Sequence, residues 1–276
     1  MPWGTIGGYA PGTLGKAAIS AVSLPAPNDP IPFSFSLRIG AETLDLSGSV
    51  PDGPCTVTDL MPLLHALCNA VIEAAVRQLP PPAKVSCGPG CGACCRQLVP
   101  ISHSEAAWLL HEVLPNLAPD HRSRVESRIR EASIRLETSG LSDLIRNLPT
   151  EADRECRQSI GLRYFLTGIP CPFLENASCS IHPQRPLACR EYLVTSPADA
   201  CASPTPGTIH PVSIPLKPSG AMIRLDAKAT APGWRTMMDA LLDSNRAASR
   251  QIPDAIGFLK EFLTELLGRS HSGDAP

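Results

Sequence analysis

Residues 87 to 95 read CGPGCGACC, four cysteines within nine residues with only Gly, Pro and Ala between them. A second group follows 76 residues after Cys95, spaced Cys171-x7-Cys179-x9-Cys189-x11-Cys201. Both groups lie in Gly/Pro-rich or turn-rich sequence and not on amphipathic stripes. Thiolates are soft donors that suit zinc and iron–sulfur clusters. Gly88, Gly90 and Gly92 let the backbone turn tightly around an ion and aim N–H groups at sulfur. Eight cysteines so placed point to metal binding.

The first group has the spacing Cys87-x3-Cys91-x2-Cys94-Cys95. The Cα atoms of Cys94 and Cys95 are about 3.8 Å apart. Two neighbouring thiolates rarely fill two corners of one tetrahedral site without strain. The pair is therefore expected to face different ways, one ligating a first centre and the other a second, or remaining a reactive thiol. Eight thiols then make two four-sulfur sites, or one site plus spare sulfur chemistry.

Structural zinc usually presents paired C-x2-4-C knuckles. The second group, with gaps of 7, 9 and 11, has none. A compact triplet with a distant fourth ligand is closer to iron–sulfur ligation. Cys87, Cys91 and Cys94 have the spacing by which radical-SAM enzymes hold a [4Fe-4S] cluster. Those enzymes follow the motif with β/α units, whereas the segment after residue 95 reads as helical, so the match speaks for a cluster and not for that family. A four-thiolate site carries net negative charge. Arg185 and Arg190, inside the second motif, are expected beside the cofactor to balance it.

CGPGCGACC followed by CPFLENASCSIHPQRPLACREY resembles the YkgJ-type cysteine-cluster proteins, a zinc- or iron-chelating family with a CxxCxxCC core. The resemblance covers about residues 84 to 201. It implies that Cys87, Cys91, Cys94, Cys95, Cys171, Cys179 and Cys189 are metal ligands, with Cys201 beside them, and it includes the Arg185-Pro186 pair. The departure is x3 between the first two cysteines where the family has x2. Flagellin lysine methylases are similar in this region, which implies, by analogy, a cluster used in methyl transfer.

Other residues read as scaffold. Cys68 falls on the stripe of an amphipathic helix and reads as core. Cys55 lies in a PDGPC turn, and Cys156 on a helix between the two groups. His182 reads as a loop histidine, Glu191 as helix surface, and Tyr164 and Tyr192 as packing over the motifs. No Ser-His-Asp signature, P-loop or dinucleotide fingerprint is present.

The elements that position these groups follow from periodicity. Residues 1 to 32 read as a Gly/Pro/Ala/Ser-rich flexible tail. FSFSLRIGAETLDLSGSV alternates at Phe33, Phe35, Leu37 and Ile39, breaks at Gly40-Ala41, and predicts a hairpin. A helix follows, capped by Thr58 and ended by Pro80 to Pro82. Ser102 to Glu105 has capping-box spacing and opens another. A charged helix spans about 120 to 138, with Glu126–Arg130 and Glu131–Arg135 at i,i+4. A further helix covers about 151 to 166. CPFLENASCS predicts two short strands around an Asn-Ala-Ser turn, and a short helix starts near Pro186. SIPLKPSGAMIRLDA suggests strands, followed by helices at about 232–246 and 253–268.

The chain has 276 residues, enough for a core without staples, so the cysteines do not compensate for small size. Its net charge is −2, which offers no basic field for nucleic acid or an anionic membrane. No basic n-region precedes an apolar h-region, and no run of about 18 apolar residues is evident. The expected compartment is the cytoplasm, where thiols stay reduced.

The expected fold is a helix-rich α+β architecture with a cysteine-rich metal-binding core made from two loop segments. The expected divisions are a tail (1–32), a hairpin plus helix (33–83), a cysteine-cluster domain (84–201) and a Pro-rich segment with C-terminal helices (202–276). The first functional reading is a protein holding a [4Fe-4S] cluster, with SAM as a further cofactor, that modifies an unknown small molecule or protein. The alternatives are a non-catalytic structural zinc protein and a metal or redox carrier.

Overall fold

A computed structural model describes residues 30–88, 90–148, 154–205, 207–230, 234–242 and 248–268. All but the last residues of the predicted N-terminal tail lie outside it.

The hairpin forms as its alternation predicts. β1 (Ile31–Ile39) pairs antiparallel with β2 (Glu42–Val50), with Ile39 opposite Glu42 across the Gly40-Ala41 turn. Leu37, Ile39, Leu44 and Leu46 face the core while Ser36 and Asp45 face solvent. Two residues in β3 (Cys55–Thr56) pair with β8 (Gln251–Ile252).

α1 (Val57–Arg77) is capped two residues earlier than predicted, by Thr56 and not Thr58. Asp59 completes a capping box, accepting the Thr56 N–H at 2.8 Å. This helix alone among the described residues is long and apolar enough to cross a bilayer, and 61% of its apolar window is buried. The cover comes from the hairpin, α7 (Pro218–Ala227), α9 (Ala255–Leu267) and Leu187. The stretch containing α7 read as strands in sequence, yet Ala221, Met222 and Leu225 share one buried face at helical spacing.

A second core gathers under the cysteine segments. It joins α2 (His103–Trp108) and the π-turn that continues it (Leu109–Val113) to Val125 and Ile129 of α3 (Pro119–Thr138), and to Phe173, Ile181 and Met237. β4 (Pro100–Ser102) pairs with β7 (Trp234–Thr236) above it, and α8 (Met237–Leu242) follows β7 directly. Trp234–Thr236 thus forms a strand where a helix was predicted. A third cluster holds α4 (Leu141–Arg146) and α5 (Arg154–Leu166) against the C-terminal half of α3. On α3, Glu126 pairs with Arg122 at 3.6 Å and not with Arg130. Arg135 donates to the Thr167 carbonyl at 2.5 Å instead of pairing with Glu131. The fold is a helix-rich α+β architecture whose sheets, among the described residues, are two-stranded.

Candidate metal centre

The two cysteine segments meet through their backbones. Cys171 N–H donates to the Cys95 carbonyl at 2.7 Å. Between Cys171 and Cys189 the chain makes a tight hairpin of β5 (Leu174–Glu175) and β6 (Ser178–Cys179), a 3-10 turn (His182–Gln184) and α6 (Leu187–Glu191). Asn176 and Ala177 connect the strands with φ of 49° and 59°, the double left-handed conformation of a type I′ turn. Gly92 fits against this turn. A Cβ there would lie against Leu174 Cδ1 and 2.8 Å from the Ala177 carbonyl oxygen.

α3 braces the hairpin from outside. Arg124 and Arg128 reach Glu175 at 3.0 and 3.2 Å, and Arg128 also donates to the Pro172 carbonyl. The Arg124 hydrogen bond, first among several contacts, holds the Glu175 carboxyl below its ordinary range. His121 shares a 2.9 Å hydrogen bond with Ser180, next to Cys179.

The result is a cavity of about 450 Å³ lined by Cys87, Cys91, Cys94, Cys95, Cys171, Cys179 and Cys189. Leu98, Val99, Phe173, Ile181 and Met237 form its apolar wall. Seven of the eight cysteines singled out in the sequence therefore face one space. The eighth, Cys201, is buried and is not among the lining residues; Tyr192, which does line the cavity, lies beside its thiol.

Cys94 and Cys95 both line the cavity, and the interaction between their thiols lowers Cys94 and raises Cys95. Burial raises Cys87, Cys171, Cys179, Cys189 and Cys201. Cys171 is pushed up to about 12, with Cys179 and Cys94 adding to the rise, and Cys189 also goes well above its ordinary value. Burial lifts Cys87 against a 3.4 Å hydrogen bond from the Val194 N–H. Uncompensated, so many thiols resist ionisation together. A bound cation reverses this by supplying the missing positive charge.

The two arginines take different places. Arg185 lines the cavity, and its buried Nε has no hydrogen-bond partner. Arg190 is buried and turned away from the cavity. Its guanidinium donates to the carbonyl oxygens of Arg185 at 2.9 Å and Pro183, and to Asn69 of α1 at 3.0 Å. His182 sits at the exposed rim. Cys68 is fully buried on α1, and Cys55 and Cys156 are also not among the lining residues.

Sequence reasoning missed the carboxylates that fix the frame. Glu105, the N3 residue of the α2 capping box, gives its second oxygen to the Leu187 N–H at 2.8 Å, tying α2 to α6. Glu191 is buried, not on the helix surface, and accepts from the N–H and hydroxyl of Ser219 at 2.7 and 2.8 Å. Asp226 does the same for Ser104. Only the capping-box spacing of Glu105 was visible in the sequence.

As donors, these residues fit zinc or iron. Their spacing is wide: among the described residues no three His, Cys, Asp or Glu side chains are grouped closely enough to hold one ion as they stand. Soft thiols from two segments, gathered around one cavity, define a cysteine-rich metal-chelating module. Residues 86–205 match a family model described as "CxxCxxCC: Putative zinc- or iron-chelating domain". The resemblance read from the two motifs thus holds over this segment. No curated protein and no solved structure matches the chain.

Proposed function

We propose that the chain is an iron–sulfur protein whose [4Fe-4S]-type cluster occupies the thiol-lined cavity and acts on a small molecule or a protein side chain in the cytoplasm. The size and shape of the cavity carry this reading. A structural zinc site is closed, with Zn–S bonds of about 2.3 Å that bring sulfurs to about 3.8 Å from one another. Here seven thiols surround about 450 Å³, and no three are drawn together around a point. A polynuclear cluster takes up thiolates held this far apart and fills space that a lone ion leaves open. The apolar wall keeps water off bridging sulfides, and the unpartnered Nε of Arg185 offers a donor to a negatively charged cluster.

Anaerobic purification followed by iron, zinc and acid-labile sulfide analysis tests the reading. A brown protein with iron and sulfide in equal amounts is expected. A colourless protein whose metal is zinc overturns it in favour of a structural site. Use in a reaction further requires an open position on the metal. SAM added to the holoprotein is therefore expected to change its visible and electron paramagnetic resonance spectra, and unchanged spectra remove the methylase analogy.

A further inference from the structure

We propose that Glu105, Glu191 and Asp226 form a closed ring of helix caps that positions α6, and with it Cys189, at the thiol-lined cavity. None of the three lines the cavity, so they are positioning residues that act through the backbone. The proposal rests on the metal-centre reading above in taking Cys189 as a ligand.

The ring runs through three helices. Glu105 of α2 accepts the N–H of Leu187, the first residue of α6, at 2.8 Å. Glu191, the last residue of α6, accepts from Ser219, the second residue of α7, through its N–H at 2.7 Å and its hydroxyl at 2.8 Å. Asp226, in the last turn of α7, accepts from Ser104, the second residue of α2, through its N–H at 2.7 Å and its hydroxyl at 2.9 Å. Each helix carries the acid that caps the next, and the third returns to the first.

Local sequence leaves two of these ends open. Pro186 and Lys217, at the N-cap positions of α6 and α7, make no side-chain capping bond. The first N–H groups of a helix have no partner within it and carry the positive end of its dipole. A carboxylate from another helix answers both needs. Glu105, Glu191 and Asp226 are all buried, at 1%, 7% and 2% exposure, so a donor or acceptor left unmet there is costly.

α6 depends on such support because its five residues are too few to hold a helix by themselves. Cys189 stands two residues from each tied position, with Leu187 before it and Glu191 after it. The opposing thiols are held independently, Cys171 by the Cys95 carbonyl and Cys179 by the β5–β6 pairing. A shift at either end of α6 therefore moves Cys189 relative to Cys171 and Cys179. Asp226 and Ser219 act on the same thiol from α7, through α2 and α6.

Two readouts on the full-length chain test the ring. The first is alkylation of Cys189 relative to Cys87 in the apoprotein, followed by mass spectrometry below the melting temperature. The second is the rate at which the holoprotein loses metal to a chelator. Ser219→Ala and Ser104→Ala each remove one hydroxyl bond from the ring and leave its N–H bonds. Each is expected to raise the Cys189 to Cys87 ratio and the rate of metal loss by roughly fivefold, the effect of one lost hydrogen bond. Asp226→Ala is expected to do more, and Asp226→Asn, which keeps an acceptor for the Ser104 N–H, to restore most of the loss. Leu46→Ala, in the hairpin, destabilises the chain away from the ring and is expected to leave the labelling ratio unchanged. An unchanged ratio in both serine variants overturns the proposal, and so does an equal rise in Leu46→Ala. A raised ratio with unchanged metal loss also overturns it, because the ring then does not act on the metal. Wild-type protein that binds neither iron nor zinc overturns the metal reading instead, and the labelling ratio still decides whether the ring places Cys189.

Discussion

The N–H of Cys171 donates to the carbonyl oxygen of Cys95 at 2.7 Å, joining residues 76 positions apart at the point where the two cysteine segments meet. This bond closes only if loop 87–95 comes within van der Waals distance of the β5–β6 turn, and Gly92 is the residue that allows the approach. Gly92→Ala places a methyl against Leu174 and the Ala177 carbonyl. Overpacking of this kind costs about 1–3 kcal/mol. A lowered melting temperature together with reduced metal content is expected. A variant with wild-type values of both shows that the loop can retreat without consequence.

Ala177 has φ of 59°, where a Cβ is disfavoured and glycine is not. Asn-Gly is the preferred sequence for this turn, so Ala177→Gly makes Asn176 its first residue and glycine its second. A gain of about 1 kcal/mol is expected, or about 2–4 °C in Tm for a chain of this size, read by calorimetry on the holoprotein. A loss of stability on this substitution contradicts the type I′ geometry.

Glu105 is buried at 1% exposure, and burial pushes its carboxyl up to about 7 against the N–H groups of Ser102 and Leu187. A folded-state value above the unfolded one means that the native state holds the proton more tightly. The contribution is fully present below about pH 4.5 and is lost as pH rises through about 7. Wild-type protein is therefore expected to lose stability relative to Glu105→Gln between about pH 5 and 8, by an amount on the order of 3 kcal/mol. Denaturant midpoints at several pH values measure this. Parallel pH profiles for the two proteins rule it out.

Much of this arrangement is visible in local sequence. The alternation around Phe33 to Ile39, the ENAS turn and the capping box at Ser102 are each set by near neighbours, and each forms where its pattern places it. Cysteine spacing likewise singled out the thiols, seven of which the fold gathers around one cavity. Long-range choices were hidden. Glu191 looks like helix surface until Ser219, 28 residues on, packs over it. The residues before Asp226 read as strands because the core against α9 that makes them helical comes from distant sequence.

Arg185 and Arg190 test whether a charge near a cluster serves the metal or the frame. Arg190 is buried with three acceptors spread around a planar guanidinium, two of them backbone carbonyls in the turn before Cys189. Lysine keeps the charge but cannot reproduce that fork. Arg190→Lys is therefore expected to cost about 3 kcal/mol of stability, since buried acceptors lose their donors. Arg185 faces the cavity, and its Nε bonds to nothing in the protein. Arg185→Gln is expected to leave apoprotein stability within about 1 kcal/mol of wild type. Its effect falls on the loaded protein, where one fewer positive charge beside the thiolates lowers the reduction potential of the centre and speeds metal loss to a chelator. Denaturation of apoprotein and potentiometry of holoprotein separate the two roles. Equal destabilisation of the apoproteins, with no change in potential for Arg185→Gln, makes both arginines parts of the frame.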